Sequence, residues 1–105
     1  NPITYWRIGE TGTTAANSGS TAGAADGTYV GTPERGTGLV GIGNDGAPHF
    51  DGTNDRVEIP ETPGLNTGGP FAERTIELWF KANSFSGRQV LYELGGRDRG
   101  MSVYL

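Results

Sequence analysis

The chain has 105 residues, 19 of them glycine, no cysteine and a formal charge of -4, enough for one small domain with its own core. An acidic chain without a basic stripe is a poor match for phosphate backbones or anionic lipid, so nucleic acid is not an expected partner. The lack of cysteine removes disulfides, thiol catalysis and Cys-ligated zinc, and no apolar run reaches the length of a membrane span, so insertion is not expected either.

Glycine, Thr and Asn in quantity between short apolar runs predict an all-β chain with many turns. Ile3-Thr4-Tyr5-Trp6-Arg7-Ile8 reads as an opening strand, with Trp6 and Ile8 toward the core and Tyr5 nearer the rim. From Thr11 to Gly27 there is no periodicity, which suits a long surface loop. Tyr29-Val30 and Leu39-Val40-Gly41-Ile42 are apolar islands too brief to assign. His49-Phe50-Asp51-Gly52 runs through Thr53-Asn54-Asp55 into a strand, Arg56 to Ile59, which Pro60 ends. The Asp-Gly and Asn-Asp pairs fit a tight connection between two β pieces.

The strongest pattern is Thr75-Ile76-Glu77-Leu78-Trp79-Phe80-Lys81-Ala82. At a period of two it places Ile76, Leu78 and Phe80 on one face and Thr75, Glu77, Trp79 and Lys81 on the other, as in a half-buried antiparallel strand. Arg88 to Leu94 and Met101 to Leu105 follow as a hairpin with a six-residue loop, Gly95 to Gly100. Val90, Tyr92 and Leu94 share a face of that hairpin, as do Met101, Val103 and Leu105.

Taken in order, Tyr5-Trp6-Arg7-Ile8-Gly9-Glu10, the Asp-Gly at Asp26, Phe50-Asp51-Gly52 with Asp55-x-Val57-x-Ile59-Pro60, Phe71 with Thr75 to Lys81, and Val90-Leu91-Tyr92-Glu93-x-Gly95-Gly96 resemble the N-terminal half of a laminin-G-like jelly roll of the concanavalin A-like superfamily. The resemblance implies an antiparallel two-sheet sandwich in a secreted or cell-surface protein, binding a glycan or an extracellular protein with calcium near the rim. Such domains have about twice the strands counted here, and a sandwich needs two sheets to bury both inner faces. The reading is therefore of an incomplete sandwich whose missing strands come from further sequence, a second chain or neighbouring copies. No charged and apolar leader opens the chain, so an export signal would be removed or lie outside this sequence.

Asp26, Asp45, Asp51 and Asp55 lie in Gly- or Asn-rich loops, where calcium finds the carboxylate and carbonyl oxygens it favours. Asp51 and Asp55 are the first metal candidates, with Asp26 and Glu10 weaker ones. The competing reading is that Asp51 and Asp55 make turns by bonding nearby amides. His49, the single histidine, reads as a turn or packing residue. A sugar offers apolar C–H faces and a hydroxyl rim, so Trp79 with Glu77 and Lys81, joined by Tyr104 or Tyr5 from neighbouring strands, form the candidate ligand site. Against that, an aromatic on a strand's second face is usually covered by another element. Two carboxylates placed for glycoside hydrolysis are not found, and one His without an acid and a nucleophile makes no triad. The chain is read as non-catalytic.

Overall fold

The structure is a computed structural model and describes residues 1–38, 46–95 and 100–105. The chain divides into two compact units, Asn1–Thr67 and Gly68–Leu105. Both are built from small antiparallel sheets, and the one helix among the described residues is a single 3-10 turn, Ala22–Ala25. No helix is long and apolar enough to cross a membrane among these residues.

In the first unit, β1 (Thr14–Ala15), β2 (Gly27–Val30) and β5 (Arg56–Glu58) form one sheet in the order β1-β2-β5. A second pair joins β3 (Glu34–Thr37) to β4 (Gly46–His49). The register Tyr29↔Val57 sets Val57 on the inner side, as its alternation with Arg56 and Glu58 predicts. Gly27 is buried because a side chain there would stand 2.6 Å from Val57 Cγ1 and 2.8 Å from Ile59 Cδ1, so β2 and β5 approach as closely as they do only without a Cβ. The expected tight connection from His49 to Arg56 does not pair the strands it joins. It carries the chain from the β3–β4 pair to the other sheet.

The core lies where the sequence reads as surface loop. Ala15, Ala25 and Tyr29 are its buried hydrophobic members, and Asn17 and Thr62 are buried with them. Thr11 to Gly27 is mostly exposed, as a surface loop would be, but it is not without structure. It supplies β1, the 3-10 turn and Asn17, held by side-chain to backbone bonds that leave no repeating pattern in the sequence.

The opening strand is also corrected. Within residues 3–8 only Trp6 pairs, in an isolated antiparallel bridge with Asn17. Two causes act locally: the Tyr5 amide donates to Asn17 Oδ1 at 2.7 Å instead of to a neighbouring strand, and Ile8 takes a left-handed φ of 57° that ends the extended run. Trp6 is half-buried, its indole N–H donating to Ala25 O at 2.8 Å. Tyr5 lies at the rim as read. The island from Leu39 to Ile42 lies outside the described residues, as do Asp45 and Arg97 to Arg99.

In the second unit β6 (Val90–Gly95) and β7 (Gly100–Tyr104) form the expected hairpin. Tyr92 pairs with Val103 and Leu94 with Met101, while Val90 pairs with Tyr104 across a register shift. That bulge moves Val90 out of the face of Tyr92 and Leu94 and leaves it exposed with Tyr104. Burial pushes the Tyr92 phenol above its ordinary pKa, against the opposing pull of the Arg74 charge. Arg74 lies over the Phe71 ring, 4.2 Å from its centroid.

The predicted central strand is not formed. Residues 75–82 pair with no strand among the described residues, and of their apolar face only Ile76 is half-buried. Alternation specifies which face a strand would bury, but pairing also needs an adjacent edge to take its amides and carbonyls, and neither β6 nor β7 supplies it.

Candidate functional site

Two places collect the side chains singled out in the sequence, one in each unit. In the first, Thr32, Glu34, His49, Asp51, Asn54 and Asp55 line an open concavity of about 320 Å³. Glu34 and His49 are brought opposite each other by the β3–β4 register, and the loop that follows β4 folds back over them. Asp51 Oδ1 accepts the Thr53 amide at 2.8 Å and the Asn54 amide at 3.4 Å. This is the Asx turn that Asp-Gly-Thr-Asn favours. Asp55 Oδ1 accepts the Thr32 amide at 3.0 Å, and Oδ2 accepts the Asp51 amide at 3.4 Å.

The turn-making reading of Asp51 and Asp55 therefore describes bonds that are present. Both oxygens of Asp55 hold backbone. Asp26 lines no part of this concavity; its Oδ1 accepts the Asn17 amide at 2.8 Å. Glu10 is likewise engaged, taking the Tyr29 hydroxyl at 3.0 Å and the Ala16 amide at 3.1 Å. Among the described residues no three His, Cys, Asp or Glu side chains are disposed to hold a metal ion. Thr32 and Glu34 join the concavity without any signal in the sequence, because it is the β3–β4 pairing and the Asp55 bond that bring them there.

The amide of Thr53 first, then those of Asn54 and Asp55 and the nearby His49 charge, hold the Asp51 carboxyl below its ordinary range. A carboxylate whose folded pKa is depressed adds stability above its unfolded pKa and loses it as pH falls through the folded one. NMR titration of the carboxyl carbons should find Asp51 among the last to protonate on acidification, and Asp51→Asn should flatten the acid side of the stability profile. A midpoint in the ordinary aspartate range would contradict the turn geometry.

In the second unit the ligand candidates fall on residues 77–81 and on β7. Trp79 is 83% exposed, and its indole N–H donates to Glu77 Oε1 at 3.2 Å. A bond between residues two apart brings the two side chains together on one side of the segment, as strand-like alternation would. Lys81 follows on the same side in that alternation and is exposed. Tyr104, 58% exposed, stands across the hairpin from Val90. Trp79 is thus not covered by another element. What the segment offers is an exposed indole bonded to a carboxylate, with Lys81 two residues on, able to stack on an apolar ring face and orient hydroxyls.

Comparison of the chain with protein-family models, with curated proteins and with solved structures finds no match in any of the three.

Proposed function

We propose that the chain is a non-catalytic binding or adhesion module of a secreted or surface protein, taking a glycan or an extracellular protein on the Trp79 segment. The observation that carries this is the exposed indole of Trp79 with Glu77 bonded to its N–H, an open ring with a polar anchor at its edge, which is what stacking on a ligand and orienting it requires. The laminin-G-like resemblance supports the same reading, and with it a concanavalin A-like two-sheet sandwich of which these small sheets are parts. Calcium, in this reading, would be held in the first unit by the loop of Asp51 and Asp55, where chelation is the direct probe.

Glycan arrays followed by calorimetry, with calcium and with chelator, test the proposal. Trp79→Ala is expected to cost about 2 kcal/mol of binding, roughly thirtyfold in affinity, and to leave the fold intact because the residue is 83% exposed. No saturable binding of any saccharide or extracellular protein, or affinity indifferent to Trp79, would count decisively against it.

A second reading, a structural module whose sheets are completed in an assembly, is favoured by a different observation. No described residue from Gly68 to Leu105 is buried, while Phe71, Leu78, Trp79, Phe80, Phe85 and Tyr104 are all exposed. Apolar surface left open on that scale calls for a covering layer.

A further inference from the structure

We infer that residues 76–82 pair with the same segment of a second copy of this chain, as antiparallel strands related by a two-fold axis at Trp79. The inference rests on the assembly reading and adds to it the partner and the register. Three observations converge on it. Glu77 and Trp79 lie on one side of the segment, where a strand would put them, and are bonded to each other; no strand among the described residues pairs with the segment; and its side chains are self-complementary when the chain is reversed about Trp79.

With Trp79 opposite its own mate, Glu77 of each copy faces Lys81 of the other, Leu78 faces Phe80 and Ile76 faces Ala82. Opposite charges and large apolar side chains directly across an antiparallel pair are the combinations that stabilise it. An isologous contact requires this kind of self-complementarity, and a strand added to an open edge satisfies the backbone groups that the single copy leaves unpaired. Each copy carries a formal charge of -4, so the close approach of two copies needs local pairs of opposite sign, and Glu77 with Lys81 supplies them on both sides of the axis.

Other edges carry less. β5 would exchange Arg56 with Glu58 in the same way, but it spans 3 residues and already closes that ion pair within itself. The Met101 to Tyr104 stretch of β7 has no charge to set a register.

Sedimentation equilibrium of the full chain over a concentration series is expected to show a monomer–dimer equilibrium. Glu77→Lys and Lys81→Glu should each weaken it roughly tenfold or more, by placing like charges opposite each other on both sides of the axis. The double substitution E77K/K81E should restore it. Because Trp79 meets its own mate, Trp79→Cys in this cysteine-free chain should cross-link on oxidation, paired strands lying within disulfide reach. Phe85→Cys, equally exposed but beyond the paired segment, should not. A dimer indifferent to charge reversal and to its rescue would overturn this register while leaving assembly standing. A monomer at every concentration, without preferential cross-linking at position 79, would overturn both.

Discussion

Replacing Asn17 by alanine is expected to destabilise the first unit by about 3 kcal/mol, the cost of leaving several buried groups without partners at once. Asn17 is only 8% exposed and its amide is fully used. Oδ1 accepts the Tyr5 amide at 2.7 Å and the Gly19 amide at 3.0 Å, while Nδ2 donates to Thr21 Oγ1 at 2.8 Å and to Ala22 O at 2.7 Å. One side chain thus ties the opening segment to the 3-10 turn and the residues that lead into it. Water can replace the outermost of these bonds, which keeps the cost below the sum of the parts.

Urea unfolding of the full chain followed by far-UV circular dichroism measures the loss, and amide exchange at Tyr5 and Gly19 locates it. Asn17→Asp is the sharper variant. It keeps the acceptor but turns the donor into an oxygen facing Ala22 O, beside the Asp26 carboxylate that already accepts the residue 17 amide at 2.8 Å. Its loss at neutral pH should equal or exceed that of alanine and shrink as the carboxylates protonate. A loss under about 1 kcal/mol for both would mean that Asn17 does not organise the unit.

That residue marks where periodicity stops being informative. β5 and the β6–β7 hairpin were legible because Val57, Tyr92, Leu94, Met101 and Val103 alternate with polar neighbours and find a partner strand in the same unit. Asn17, Thr21 and Asp26 act through side-chain oxygens and amides bonded to backbone, and such bonds impose no repeat. A stretch rich in Ser, Thr, Asn and Gly therefore looks like a loop even when it contributes Ala15, Asn17 and Ala25 to the core. The strand of highest apparent quality, residues 75–82, fails for the converse reason. Its pattern fixes a face but contains nothing about which edge it joins. In the candidate sites, the Asx chemistry of Asp51 was readable from Asp-Gly-Thr-Asn, whereas the recruitment of Thr32 and Glu34 depends on contacts distant in sequence.

Gly31→Ala carries the second large effect, about 2 to 4 kcal/mol, and it probes the Asp51–Asp55 concavity without altering either carboxylate. Gly31 adopts φ +81°, a conformation costing an alanine about 1 kcal/mol. A Cβ there would also collide with Asp55 Oδ1 and stand 3.1 Å from the Asp55 Cα. The carboxylate can rotate away, but only by releasing the Thr32 and Asp51 amides, so strain and lost bonds add. The two contributions separate in a double-mutant cycle with Asp55→Ala. Once the Asp55 carboxylate is gone, Gly31→Ala should retain little beyond its backbone strain, near 1 kcal/mol. Equal penalties in both backgrounds would mean that Asp55 does not hold the turn. Calcium proposed for this loop should bind more weakly in Gly31→Ala, which displaces the Asp55 carboxylate, and more weakly still in Asp55→Ala, which removes it. Calcium affinity that survives Gly31→Ala would place the ion elsewhere.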